Sequence, residues 1–152
     1  METVVYEIGR AAQILGLGPE QFRHLAPPEE ETVFFSALKH FVASDNRRWW
    51  WEAFRETGTS RQFIDGDGWK HIPRILPNPN EVVGFIAEES QSPNYPVFET
   101  TPRLVSQIIG ECYGFEYYLI AKDFSWLLCE NHHDYLIAVG AAVERRLVTY
   151  GA

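Results

Sequence analysis

The chain has 152 residues, 45% of them hydrophobic and 14% aromatic, with a formal net charge of −8. This composition excludes disorder and supplies enough apolar surface for one core, so a single domain over 1–152 is expected. It also argues against nucleic acid, which calls for a basic surface, and favours a basic protein partner.

The N-terminal METVVYEIGRAAQILGLG has no basic leader and carries Glu2 and Glu7, so it does not read as a signal peptide. No run of about 18 apolar residues occurs, and no membrane span is expected. Val4, Val5, Ile8, Ala11, Ala12 and Leu15 instead draw one helical stripe over 3–16, with Gly16 and Gly18 to end it. A second helix is predicted over 30–43, from Val33, Phe34, Ala37, Leu38 and Phe41. Pro27 and Pro28 precede it, and Glu29 to Glu31 suit its positive end. Ser44, Asp45 and Asn46 then offer a cap for a third helix through RRWWWEAF.

From Thr57 to Asn80 the glycines and prolines predict irregular chain, with a short strand at Arg61 to Ile64. The second half has β character. VVGFIAEE (82–89) is a strand, and YPVFE (95–99) is an edge strand that tolerates Pro96. Thr101 followed by Pro102 starts a helix, whose stripe runs through Leu104, Val105, Ile108, Ile109 and Cys112 toward a stop at Gly114. Three strands follow within 115–122, 126–130 and 135–140 as a β-meander, and AAVERRLV closes the chain as a helical turn. The expected fold is α+β: N-terminal helices on a mostly antiparallel sheet of about four to five strands, with one helix inserted before the C-terminal meander.

LLCENHHDYLI (127–137) concentrates the polar chemistry. Asn131, His132, His133 and Asp134 between two apolar runs fit a four-residue hairpin loop, where Asn and Asp accept left-handed backbone. A metal would need three or four ligands converging at about 2.0–2.3 Å. In an extended strand Cys129, Asn131 and His133 face one way, while Glu130, His132 and Asp134 face the other. Neither set is a good ligand set, and HExxH and paired CxxC are absent, so no metal or cofactor is expected. Cys129 between leucines and acidic residues reads as a small core residue rather than a nucleophile. IDGDGW departs from a calcium loop at Trp69 and Lys70, and GLGPEQ lacks the third glycine of a dinucleotide loop. Cys112 and Cys129 form no CxxC pair, which fits a reduced, cytoplasmic protein.

RRWWWEAF is the other informative stretch. Three successive helical residues fan over about 200°. Trp50 and Phe54 share a core face, while at least one of Trp49 and Trp51 must lie at a rim, under the 57–80 loop or at a partner surface. Arg47, Arg48, Trp49 and Trp51 are therefore the candidate binding residues, because Trp and Arg dominate interface hot spots.

The WLLCENHHD segment and the small acidic α+β layout resemble an uncharacterised family of small bacterial proteins. In length, acidity and element order the chain is also similar to SUKH-type immunity proteins. That similarity implies a domain that neutralises a toxin by binding it. The expected function is thus a non-enzymatic protein-binding module with a basic, toxin-like partner. The alternative is a small enzyme or metal-binding protein using the Cys129–Asp134 cluster, with Glu130, His132, His133 and Asp134 at its centre.

Overall fold

The computed structural model describes residues 3–43, 49–90, 92 and 94–151. Helix α1 (Val4–Ile14) starts where the Thr3 hydroxyl accepts the Tyr6 N–H, and it buries Val4, Ile8, Ala11 and Ala12. Strand β1 is the pair Arg23–His24, and α2 spans Pro27–Phe41 with proline in its first turn. Strand β2 (Thr59–Gln62) leads through a 3-10 turn at Gly68–His71 into the short α3 (Ile72–Ile75). Strands β3 (Val83–Ala87) and β4 (Val97–Thr100) precede α4 (Pro102–Gly110), where Thr101 caps the Leu104 N–H. Strands β5 (Tyr117–Ile120), β6 (Leu127–Glu130) and β7 (Tyr135–Val139) then form the meander, and α5 (Ala141–Thr149) follows.

The strands make one sheet in the order β1-β4-β3-β5-β6-β7-β2, antiparallel throughout. Both faces are covered. Phe85, Tyr117, Leu119, Leu128 and Leu136 point to a first face, covered by α1, α3, α4 and α5 through residues such as Ile8, Ile72, Ile108 and Leu147. Ile86, Tyr118, Ile120, Leu127 and Ile137 point to a second face, covered by Phe34, Leu38 and Phe41 of α2 and by Trp50. Period-2 alternation therefore feeds two apolar layers, which is why the central strands read as unbroken hydrophobic runs.

The meander forms at the expected positions, as three consecutive antiparallel neighbours. Seven strands replace the expected four to five. The two edge strands carry weak patterns: β1 has two exposed residues, and β2 alternates only between half-buried and exposed positions. Residues 95–99 were expected at an edge, but β4 is interior, between β1 and β3. Pro96 sits just before the strand, where it removes no ladder donor. Helix α2 begins at Pro27, so the prolines form its first turn rather than precede it. Helix α4 stops at Gly110, four residues before Gly114, and α5 is a full helix rather than one turn.

The third helix expected through RRWWWEAF does not form over its described part. Ser44 to Arg48 lie outside the described residues, and Trp50–Glu52 is a 3-10 turn. An isolated bridge between Val42 and Phe54 pins the flanks of this segment together, and bulky indoles favour packing over regular helix. Trp50 is 1% exposed, stacks on Tyr118 at 4.6 Å and donates its backbone N–H to the Tyr118 hydroxyl. Trp50→Ala should therefore cost about 3–5 kcal/mol, as other large core truncations do. Trp49→Ala, at a half-buried site, should cost about 1 kcal/mol, in proportion to the smaller area it buries. Urea unfolding of the two variants gives both values, and equal losses would contradict this division of roles.

Candidate functional site

The β6–β7 hairpin places the polar cluster. The Asn131 side-chain oxygen accepts the N–H groups of His133 (3.0 Å) and Tyr135 (3.1 Å), closing the loop over Asn131–Asp134. Asp134 has φ +65°, the left-handed backbone that Asp tolerates. The turn expected from the sequence is present, and it also forms one wall of a cleft.

Glu116, just before β5, anchors that wall. Its buried carboxylate accepts from the Trp51 indole N–H (3.1 Å), the His132 backbone N–H (2.8 Å) and His132 Nδ1 (2.5 Å). Trp49 lies 5.4 Å from the His132 ring between centroids, and Trp51 lies 5.7 Å from both His132 and His133. The tryptophan patch and the polar cluster, two separate candidates in the sequence, are thus one site. Arg47 and Arg48 lie outside the described residues.

The 57–80 segment does not cover these tryptophans, as one reading of the sequence required. Phe63, Trp69 and Ile72 pack on the first face, whereas Trp50 and Trp51 belong to the second. The segment instead faces Trp49 across a cleft of about 660 Å³, to which it contributes Gly66 and Trp69. Ile109 and Phe115 add apolar wall, and Glu88, Glu116, Glu130 and Asp134 make the cleft acidic. A side chain at Gly110 would start 3.1 Å from the Trp69 ring, so glycine there lets the indole lie against the end of α4.

Glu130 ends β6 at the cleft. Its Oε1 accepts the Tyr117 hydroxyl at 2.7 Å, and the residue is only 9% exposed. Its Oε2 lies 3.0 Å from where a Cβ on Gly68 would stand, so glycine leaves space beside that oxygen. Burial pushes the Glu130 carboxyl from the ordinary 4.5 up to about 7. The Tyr117 hydrogen bond opposes this rise, while the charges of Asp134 and Asp67 add to it. Tyr117 is held well above its usual range, mainly by burial and then by Glu130.

Cys129 points away from the cleft into the second core layer, and burial pushes its thiol far up, so it supplies no thiolate. Cys112 lines the cleft, with its thiol pushed up to about 12, chiefly by burial. His133 is exposed beside His132, their ring centroids 4.0 Å apart. Among the described residues, no three His, Cys, Asp or Glu side chains converge where a metal ion could sit. The sequence reading missed Glu116, Glu88, Trp69 and Phe115. Glu116 left one signal: a carboxylate next to YYLIA, a run too apolar for a solvated strand.

Residues 2–151 match the model of DUF6756, a family of unknown function. The chain belongs to that family. No curated protein and no solved structure matches it. In this member of the family, no helix among the described residues is long and apolar enough to cross a membrane.

The Glu130 environment carries a stability signature. Between pH 4.5 and about 7 the folded protein keeps a proton that the unfolded chain has released. The stabilisation is therefore complete below pH 4.5 and is lost as pH rises through about 7. Glu130→Gln keeps an oxygen for Tyr117 and removes the charge. At about pH 8 the variant should exceed the parent by about 2–3 kcal/mol, and the gap should close toward pH 4.5. Denaturant titrations across this range read the difference, and a constant gap would contradict it.

Proposed function

We propose that the protein is a non-enzymatic binding module whose cleft and rim receive a basic protein partner. One observation carries the reading. Among the described residues the two most exposed large hydrophobic side chains, Ile64 (88%) and Tyr113 (78%), flank cleft-lining segments. Ile64 stands two residues before Gly66, and Tyr113 lies between Cys112 and Gly114. With half-buried Trp49 in the cleft lining, they put exposed apolar side chains within two residues of an acidic cleft, the kind of surface that a protein partner buries. The net charge of −8 supports a basic partner by speeding encounter. In its narrower form the partner is a toxin that this protein neutralises, as the similarity to SUKH-type immunity proteins implies. Free Cys112 and Cys129 support a reducing, cytoplasmic setting.

Selection from a displayed random-peptide library against the folded protein tests the reading. Enriched peptides should be basic, should compete with one another, and should bind Trp49→Ala at least about tenfold more weakly, as a hot-spot truncation does. No enrichment, or unchanged binding by that variant, would refute the reading.

A second reading, a small enzyme, is favoured by the Glu130 carboxyl held at about 7 in a cleft beside the Glu116–His132 pair. A general acid or base for neutral pH needs such a value. In this reading Glu130 moves the proton, while His132 and Asp134 orient the substrate. Cys129 takes no part, because it is buried in the core.

A further inference from the structure

Glu130 and its surroundings point to a narrower ligand chemistry than "basic". The carboxylate is fixed at one oxygen and open at the other. Tyr117 holds Oε1, whereas Oε2 has no hydrogen-bond donor among the described residues and borders the cleft beside Gly68. Among the described residues no buried side-chain oxygen lacks a hydrogen-bond partner, so Oε2 is open to solvent through the cleft and free to accept from a ligand donor. The described cleft lining holds neither lysine nor arginine. Its one group able to carry positive charge is His132, whose Nδ1 is engaged by Glu116. Nearby Lys70 is drawn away to Asp67, at 3.2 Å, and lies over the Trp69 ring. The complementary charge at Oε2 must therefore come from outside this lining.

We infer that the cleft seats the side chain of a lysine from the partner, its ammonium on Glu130 Oε2 and its alkyl stem along Trp69, Ile109 and Phe115. Three considerations select lysine. A guanidinium gains most from two parallel bonds to both carboxylate oxygens, and Tyr117 already occupies one of them. An ammonium is a compact point charge that is served by a single oxygen. The walls are apolar where the four-carbon stem would pass, and lysine stems lie readily along such surface. A metal ion fits less well, because among the described residues no three His, Cys, Asp or Glu side chains converge on one point. The inference rests on the binding-module reading for the source of the lysine, but the ammonium seat can be tested without a partner.

The probes are n-butylammonium, n-butylguanidinium and neutral n-butanol, titrated into the native protein and followed by NMR of the Trp49 and Trp69 indole N–H signals. Butylammonium should shift both signals saturably and bind more tightly than butylguanidinium, and butanol should give no saturable shift. Glu130→Gln should weaken butylammonium at least about tenfold, the scale of a lost charge-assisted bond. Glu31→Gln, an exposed carboxylate on α2, should leave binding unchanged. Affinity should also fall as pH drops from about 8 to about 6, because Glu130 takes up a proton there. Glu116, Glu88, Asp134, Asp67, His132 and Cys112 surround the same space, so the profile must be lost in Glu130→Gln to be assigned to this group. Equal or tighter guanidinium binding, or no effect of Glu130→Gln, overturns the seat. If selected peptides depend on Trp49 but not on Glu130, the seat is wrong and the binding module stands. If butylammonium binds as described and no basic peptide is selected, the seat stands and the protein-partner reading falls.

Discussion

A carboxylate taken out of water must be surrounded by donors, and Glu116 imposes that requirement on the end of the protein that holds the cleft. The donors come from two distant stretches of chain: the Trp51 indole and the backbone and ring of His132. Satisfying one buried charge therefore fixes the tryptophan turn, the hairpin and the start of β5 relative to one another. The hairpin is already held to β5 by the β5–β6 ladder, whereas the tryptophan turn has too little regular structure to hold such a position alone. The cleft inherits its geometry from that joint.

Its floor is rigid for a different reason. Strands β5 and β6 lie in the interior of the sheet and carry packed side chains on both faces, so Tyr117 and Glu130 stand on the least deformable part of the fold. The walls come from short turns and from the end of α4. A stiff acidic floor with walls of aromatic and small residues keeps the cleft-lining groups preorganised, so that under the proposed binding role less ordering free energy would be lost.

Much of this was legible in the sequence, and the misses have physical causes. Thr101–Pro102 marked α4, the Val4 to Ala12 stripe marked α1, and the apolar runs marked the meander. Strand β1 was invisible, because two exposed residues pairing with β4 carry no period. The tryptophan segment was misread because Ser44, Asp45 and Asn46 offered a helix cap, while in space Trp50 is drawn inward by stacking on Tyr118 and Tyr95 and by the tilted Phe34 ring. The CENHHD stretch posed a turn against a site as though they were alternatives. In geometry they are compatible, since the same Asn131 bonds that close the turn also leave His132 and Asp134 in the cleft lining. What local sequence could not supply was the partner set: Glu116, Trp69 and Gly68 reach Glu130 and His132 only through the tertiary fold.

The position of β2 has a consequence for biosynthesis. It precedes β3 in the chain but lies beyond β7 in the sheet, with Thr59 paired to Ala138 and Gln62 to Tyr135. As the chain leaves the ribosome, residues 59–62 have no ladder to join until β7 emerges more than 70 residues later. The start of the segment that carries Gly66, Gly68 and Trp69 over Glu130 has no strand partner for that interval, whereas Trp69 can dock earlier on α4 through Ser106 and Gly110. Nascent chains short of β7 would lack the ladder that precedes Gly66 in the wall opposite Trp49. The cleft is thereby completed only after β7 has formed, and the many sequence-distant pairings make a slow final folding step the expectation.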